Sequence, residues 1–280
     1  AVLTPVYGAF DASASDAKRP IIAVPMNRNE DNRYSIDYST FEAAIVKHDV
    51  KVFIHCNPHN PVGHVWTEDE MDQLFSICKR HGVLIISDEI HQDLVAGPLP
   101  FTSALTVSNG AYANNIIAMS SLSKSFNMAS LHHAEVIIPN EDLRRQYNAC
   151  KSLVYHTDSD VIAEIAITAA YTHPEAEMWL TDLLAVVKEN YEYMCSQLLH
   201  ALPELRISPM DGTYLAWIDF GAYVKAEDMH NIFENQCGIA PSFGEWFGGK
   251  SYATFVRLNL ATSLENIKIA TNSMIQHIHP

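Results

Sequence analysis

The sequence predicts an α/β fold with a mostly parallel sheet, followed by a smaller C-terminal α+β domain. In the first half, short apolar runs alternate with amphipathic helical stretches, the order that gives parallel strands with right-handed helical crossovers. After residue 140 two long helical stretches lead into a shorter region of mixed strand and helix patterns. We place the domain boundary within 165–195 and divide the chain into 1–175 and 176–280.

The elements of the first half follow from local patterns. Four strands are predicted at residues 51–55, 83–86, 115–119 and 135–138. Residues 83–86 are continuously apolar, which is typical of a central parallel strand. Thr67 and Glu70 have the spacing of a capping box and begin a helix with apolar residues at the 3.6 period. Gly82 is a typical helix stop.

The second half is predicted from the same kinds of pattern. We expect helices at 141–170, 174–201, 226–236 and 263–278. Strands are expected at 212–220 and 254–260, where apolar and polar residues alternate. Two strands and two helices after the long helical connector indicate a small α+β domain.

Composition excludes several classes of protein. Hydrophobic residues form 48% of the 280 residues, enough for a large core, and the formal net charge of −15 argues against a nucleic-acid partner. No apolar run is long enough to span a membrane, so no membrane partner is expected. Five scattered cysteines without metal-ligand spacing indicate reduced thiols in a cytoplasmic protein and no metal site.

Lys124 lies in a Ser-rich turn between two predicted strands. A lysine desolvated beside a cofactor can act as a nucleophile toward an aldehyde and then as a general base. Ser121 and Ser123 offer hydroxyl groups to a phosphate. Taken alone, Lys124 is more simply a solvated surface residue. An acyl-transfer pair of Ser121 and Lys124 is a further alternative, but its usual SDN and KTG partner motifs are missing from the sequence.

Asp88 directly follows the apolar run at 83–86. The carboxyl end of a buried strand is where ligands bind in open α/β sheets, and a desolvated carboxylate there favours a cationic partner such as a protonated ring nitrogen. A helix-capping aspartate is an equally good interpretation of Asp88 alone. Asn60 follows strand 51–55 in a Pro-flanked turn, and by itself it indicates only a turn.

Three motifs become informative together: NPHNPVG from Asn57, SDEIHQDL from Ser87 and SLSKSFN from Ser121. In this order and spacing they resemble fold-type I pyridoxal-phosphate enzymes of the class I/II aminotransferase superfamily. Within it they are most similar to the MalY/PatB-type cystathionine β-lyases, which are C–S lyases. The resemblance extends from LTPVYGAF near the start to FVRLNLA near the end.

The resemblance implies roles for residues around the cofactor ring. Lys124 would be the Schiff-base lysine and catalytic base, and Asp88 would pair with the pyridinium nitrogen. Asn60 and His91 would bind the phenolic oxygen of pyridoxal 5'-phosphate. Tyr7 would stack on the face of the ring.

Further roles concern the phosphate and the substrate. Ser121 and Ser123 would contact the phosphate, and Arg257 would bind the substrate α-carboxylate as a bidentate pair. Ser130 stands where the family usually has Gly, so we expect it to restrict the backbone. His132 stands where some relatives have a phosphate-binding Arg.

The resemblance implies β-elimination on cystathionine or a cysteine-type amino acid by a homodimer. An aminotransferase is the alternative within the enzymes, and a weak or inactive regulatory homologue is a second alternative. Family members carry a further N-terminal part of the large domain before the TPVY motif. We therefore expect the large domain of this chain to be N-terminally incomplete.

Overall fold

The computed structural model describes residues 1–154 and 161–279. The strands of this described part are β1 (Val2–Thr4), β2 (Ala23–Pro25), β3 (Asn27–Arg28), β4 (Tyr34–Ser35), β5 (Val52–Cys56), β6 (Leu84–Asp88), β7 (Ile116–Ser120), β8 (Glu135–Ile137), β9 (Arg206–Ile207), β10 (Leu215–Asp219), β11 (Ser242–Phe243) and β12 (Phe255–Asn259).

The helices are α1 (Ala9–Asp16), α2 (Tyr38–Lys47), α3 (Glu68–Arg80), α4 (Val107–Gly110), α5 (Leu122–Ser125), α6 (Glu141–Leu153), α7 (Val161–Thr172), α8 (Pro174–Ala201), α9 (Glu245–Gly248) and α10 (Leu264–His277). No helix within the described ranges is long and apolar enough to cross a membrane.

The large sheet has six strands in the spatial order β2-β1-β5-β6-β7-β8. All neighbouring pairs are parallel except β7 and β8, which are antiparallel. The predicted mostly parallel sheet is thus confirmed. Strands β5, β6 and β7 each extend one or more residues beyond the predicted ends, and β6 therefore ends at Asp88 itself.

The predicted capping box is confirmed at the start of α3. The Thr67 hydroxyl oxygen accepts from the Glu70 backbone N–H at 3.2 Å, and the Glu70 carboxylate accepts from the Thr67 N–H at 2.9 Å. These two hydrogen bonds satisfy backbone N–H groups that have no acceptor within the helix. Helix α3 therefore begins where the local sequence places it.

The second sheet is antiparallel in the order β11-β12-β10-β9. Buried residues of α8 and α10 pack on it and form a second apolar core that includes Val187, Leu198, Ile218 and Met274. Trp217, in contrast, belongs to the core of the first half of the chain. The α+β composition of this region is as expected, and the boundary between two domains remains a prediction.

The helix predictions at 141–170 and 226–236 have different outcomes. The single helix predicted at 141–170 is described as α6 and α7, and residues 155–160 between them lie outside the described part of the chain. Residues 226–236 are helical throughout, with a 3-10 turn at Ala226–Asp228 and a π-helical stretch at Asn231–Gln236, so the helix predicted there is confirmed. Periodicity alone predicted the helical segments but not the end of α6 at Leu153.

Candidate active site

The carboxyl ends of β5, β6 and β7 meet at one edge of the large sheet. Cys56 at the end of β5 lies beside Asp88, and Asp88 lies beside Met119 of β7. Asn60 follows β5 and Lys124 lies in α5, which follows β7. Parallel pairing therefore brings three residues from separate motifs to the same edge.

A cavity of about 550 Å³ opens at this edge. Six of the eight predicted site residues line it, and they come from both halves of the chain: Tyr7, Asn60, Asp88, His91, Lys124 and Arg257. Its outer wall is formed by α8, α10 and the segment before β11. No cluster of metal-ligating side chains occurs among the residues that the structure describes.

Asp88 is 6% exposed, and its Oδ1 accepts a hydrogen bond from the Ile90 N–H at 3.2 Å. Burial raises the pKa of Asp88 to about 6, and the neighbouring charge of Glu89 adds to this rise. The positive charge of Lys124 acts in the opposite direction. A cation placed beside this carboxylate in the cavity would stabilise its ionised form.

His91 is 3% exposed, and its buried Nδ1 has no hydrogen-bond partner among the described residues. Burial lowers the pKa of His91 to about 3, and the charges of Lys124 and Arg257 lower it further. The imidazole is therefore neutral at physiological pH. A buried unpaired nitrogen costs free energy unless a ligand or water satisfies it, so His91 points to a polar ligand atom.

Arg257 is fixed by two side chains from distant parts of the chain. Its Nη1 donates to Asn60 Oδ1 at 2.9 Å, and its Nη2 donates to Ser242 Oγ at 3.0 Å. The guanidinium carbon lies 4.8 Å from the centre of the Phe247 ring. Burial lowers the pKa of Arg257, yet a guanidinium stays charged at neutral pH. A guanidinium held in this way can bind an anion such as a carboxylate.

Ser121 and Ser123 are not among the residues that line the cavity. The Ser121 hydroxyl donates to the His133 carbonyl at 2.6 Å and accepts from the Ser123 N–H at 3.1 Å, so it caps α5. The two serine hydroxyl oxygens lie 2.7 Å apart. Their assignment to a phosphate stays a prediction, because binding one requires these hydroxyls to exchange their present partners.

Tyr7 contacts the rings of Phe10 and Trp246 edge-on, with centroids 5.8 and 5.1 Å away. These contacts fix the ring at the cavity wall. Its predicted stacking on a cofactor remains a prediction.

The backbone restriction expected at Ser130 is not found. In this segment the left-handed conformation falls on Asn127 and His132, with φ of 53° and 50°. Ser130 lies instead in a short helical turn, where its β-carbon is tolerated. Two lining residues that sequence reasoning missed are Tyr214 and Ser242. Ser242 carried no local signal, since its role depends on the pairing of β11 with β12.

The donor set fits pyridoxal phosphate. A buried carboxylate can hold the protonated ring nitrogen, the unpaired His91 nitrogen can bind a ring oxygen, and Lys124 can reach an aldehyde carbon in the same cavity. Asn60 offers a side-chain amide to the same ligand. These are the polar groups of one aromatic aldehyde cofactor that carries a cationic nitrogen.

The sequence matches the family model described as aminotransferase class I and II over residues 1–274. Protein MalY of Escherichia coli K12 is 36% identical over 98% of this chain and 69% of its own length. Cystathionine β-lyase PatB of Bacillus subtilis 168 is 30% identical over 95% of this chain and 68% of its own length.

A solved structure supports the same relationship. Cystalysin from Treponema denticola, whose structure contains a pyridoxal 5'-phosphate cofactor, superposes with a TM-score of 0.93 at 26% identity. The match covers 99% of this chain and 69% of that chain. The family model covers nearly the whole chain, and the chain belongs to the aminotransferase class I and II family.

Proposed function

We propose that this protein is a pyridoxal-5'-phosphate-dependent C–S lyase. It would break the Cβ–S bond of cystathionine or a related cysteine-type amino acid and release a thiol, pyruvate and ammonia. The observation that carries the proposal is the cavity that Lys124 shares with buried Asp88 and unpaired His91. The lyase named among the relatives, PatB, and the cofactor in the cystalysin structure support it.

Asp88 would hold the cofactor ring in its protonated form. Its pKa is raised by burial, and a cationic ring nitrogen would restore the ionised carboxylate by direct attraction. When bound, pyridoxal phosphate supplies an electron sink for the pair left on Cα. Neutral His91 and the amide of Asn60 would donate hydrogen bonds to the ring oxygen.

Lys124 would carry the proton in the reaction. Its amine would first bind the cofactor aldehyde, and after the substrate amine takes its place it would remove the Cα proton. The electron pair of the broken Cα–H bond would form the Cα–Cβ double bond as the Cβ–S bond breaks, and the sulfur would leave with its own electron pair. Lys124 is then protonated and can return the proton to the departing thiolate. Water would then hydrolyse the released aminoacrylate to pyruvate and ammonia.

Arg257 would orient the substrate. Its guanidinium is already fixed by Asn60 and Ser242, so little side-chain entropy is lost when a carboxylate binds. A fixed carboxylate restricts rotation about Cα and keeps the Cα–H bond directed at Lys124.

The test is a product assay with the purified chain, added pyridoxal phosphate and cystathionine. We expect pyruvate and free thiol in equal amounts without any added keto-acid acceptor. Lys124→Ala should abolish both the products and the visible absorbance of the bound cofactor. Lys151→Ala, which removes an exposed lysine of α6, is the matched control and should leave both unchanged.

Two outcomes of the same assay favour the alternatives. A requirement for a keto-acid acceptor would refute the lyase and support an aminotransferase. A coloured, cofactor-bearing protein that turns over no amino acid would support the regulatory homologue.

We also propose a homodimer in the cytoplasm. Large apolar side chains on α6, α7 and α8 are exposed, including Leu153 at 78%, Ile165 at 65% and Trp179 at 44%, and such patches are typical of interaction surfaces. All five cysteines are free, as expected in a reducing compartment. Sedimentation equilibrium of the chain tests the dimer, and a mass of one chain at micromolar concentration would refute it.

A further inference from the structure

Asp93 lies in the turn after β6. Its side chain connects this turn to α5, the helix that contains Lys124. Its Oδ2 accepts a hydrogen bond from the Ser125 hydroxyl at 2.7 Å. Ser125 is fully buried at 0% exposure and follows Lys124 in α5. The Leu94 N–H donates to the His91 carbonyl at 2.9 Å, which closes the turn that holds Asp93. One carboxylate thus joins the His91 turn to the Lys124 helix.

Helix α5 is only four residues long, and a single turn of helix is not stable by itself. Its orientation must therefore come from tertiary contacts, and hydrogen bonds at its two ends are among them. Ser121 caps the first end through the Ser123 N–H. Ser125 is bonded to Asp93 at the other end.

A third element converges on the same carboxylate. The hydroxyl group of Tyr171 in α7 donates to Asp93 Oδ2 at 3.3 Å. The Tyr171 ring contacts Phe126 edge-on at 5.8 Å, and Phe126 stacks on Trp179 of α8 at 5.8 Å. Phe126, the residue after α5, is therefore held by Tyr171, which also reaches Asp93, and by Trp179 of α8.

We infer that Asp93 is a positioning residue for Lys124. Through Ser125 it fixes the orientation of α5 relative to the His91 turn, and so the place of the lysine amine in the cavity. Asp93 is not among the residues that line the cavity, so its effect on the cofactor is indirect. The inference rests on the proposed function, because it assigns Lys124 the role of binding the cofactor.

The first test is hydrogen exchange on the chain without cofactor. The Phe126 N–H donates to the Leu122 carbonyl at 2.9 Å, and the Met128 N–H donates to the Ser123 carbonyl at 3.0 Å, so both amides report on α5. Asp93→Ala should speed their exchange by about tenfold or more, the loss expected for one hydrogen bond to a charged acceptor.

Two further variants define the cause. Ser125→Ala should speed the exchange of the same amides to a similar extent. Asp93→Asn should keep near wild-type exchange, because its carboxamide oxygen still accepts from the Ser125 hydroxyl. Ser108→Ala is the matched control, since it removes another serine hydroxyl bonded to a carboxylate, that of Asp72. It should leave both reporter amides unchanged.

The second test adds pyridoxal phosphate and measures the rate at which borohydride fixes the cofactor to Lys124, by peptide mass. Asp93→Ala and Ser125→Ala should slow labelling by about tenfold or more, since a shift of about 1 Å can cost far more than that in an oriented reaction. Asp93→Asn should be labelled at a rate within about threefold of wild type. The hydrogen bond from Ser125 is kept in this variant, and only the charge of its acceptor is lost. The Asp93→Ala/Ser125→Ala double variant should be no slower than either single variant.

Unchanged exchange and unchanged labelling in both alanine variants would overturn the inference. An Asp93→Asn variant as impaired as Asp93→Ala would also overturn it, because the effect would then come from the negative charge of Asp93 and not from its hydrogen bond. Wild-type protein that is never labelled at Lys124 refutes the proposed function instead, and the exchange test still decides whether Asp93 orders α5.

Discussion

Replacing Asp88 with asparagine should stabilise the cofactor-free chain while weakening its hold on the cofactor. Asp88 is buried, and its pKa rises from 3.8 to about 6, chiefly because burial disfavours the charged form. Since its folded-state pKa lies above the unfolded value, ionisation of this carboxyl opposes folding. This penalty is absent below about pH 4, grows between about pH 4 and 6, and is complete above that range.

The size follows from the shift. About two pKa units at about 1.4 kcal/mol each give a penalty of about 3 kcal/mol for the ionised group. Asparagine keeps the shape and can still accept from the Ile90 N–H, but it no longer balances the charge of Lys124. We therefore expect Asp88→Asn to raise the free energy of unfolding by about 1–3 kcal/mol at pH 8, and by nearly zero at pH 4.

The assay is urea unfolding of both proteins at the two pH values, without cofactor. Asp72→Asn is a control of opposite sign, because the hydroxyls of Ser108 and Tyr112 donate to Asp72 and lower its pKa. It should reduce stability at pH 8 and affect it less at pH 4. An Asp88→Asn protein that is no more stable than wild type at pH 8, or equally stabilised at pH 4, would refute this reasoning.

Three other substitutions test further parts of the structure. Arg257→Lys should raise KM more than it lowers kcat in the pyruvate assay, because an ammonium cannot form the bidentate pair; a changed kcat at constant KM would contradict this. Thr67→Ala should cost about 1 kcal/mol in urea unfolding by removing the cap that Glu70 completes, and no loss would refute the capping box. Gly244→Ala should cost about 1–3 kcal/mol, because its β-carbon would overlap the Tyr252 carbonyl oxygen; a Tm equal to wild type would contradict that contact.

Local chemistry explains what could be predicted without the structure. The capping box of α3 depends on residues three positions apart, and the strand before Asp88 depends on an unbroken apolar run. Both are satisfied within a short segment, so the sequence pattern alone places them. The three motifs together predicted the cavity edge, since parallel strands necessarily bring their carboxyl ends together.

Other predictions needed more than local pattern. Periodicity extended a single helix over 141–170, whereas α6 ends at Leu153 and Val154 is no longer helical. The backbone restriction expected at Ser130 is absent, because the left-handed conformation falls on Asn127 and His132 instead. Backbone conformation in such a turn depends on neighbouring packing as well as on the residue itself.

By itself, the sequence determined the α/β fold, the place of Asp88 and Lys124 at the sheet edge, and the family to which the motifs belong. Only the tertiary structure decided how the side chains are held. Arg257 meets Asn60 across 197 positions, and Asp93 meets Ser125 across 32. Such contacts depend on how separate elements pack together, and no local preference of the chain specifies that packing.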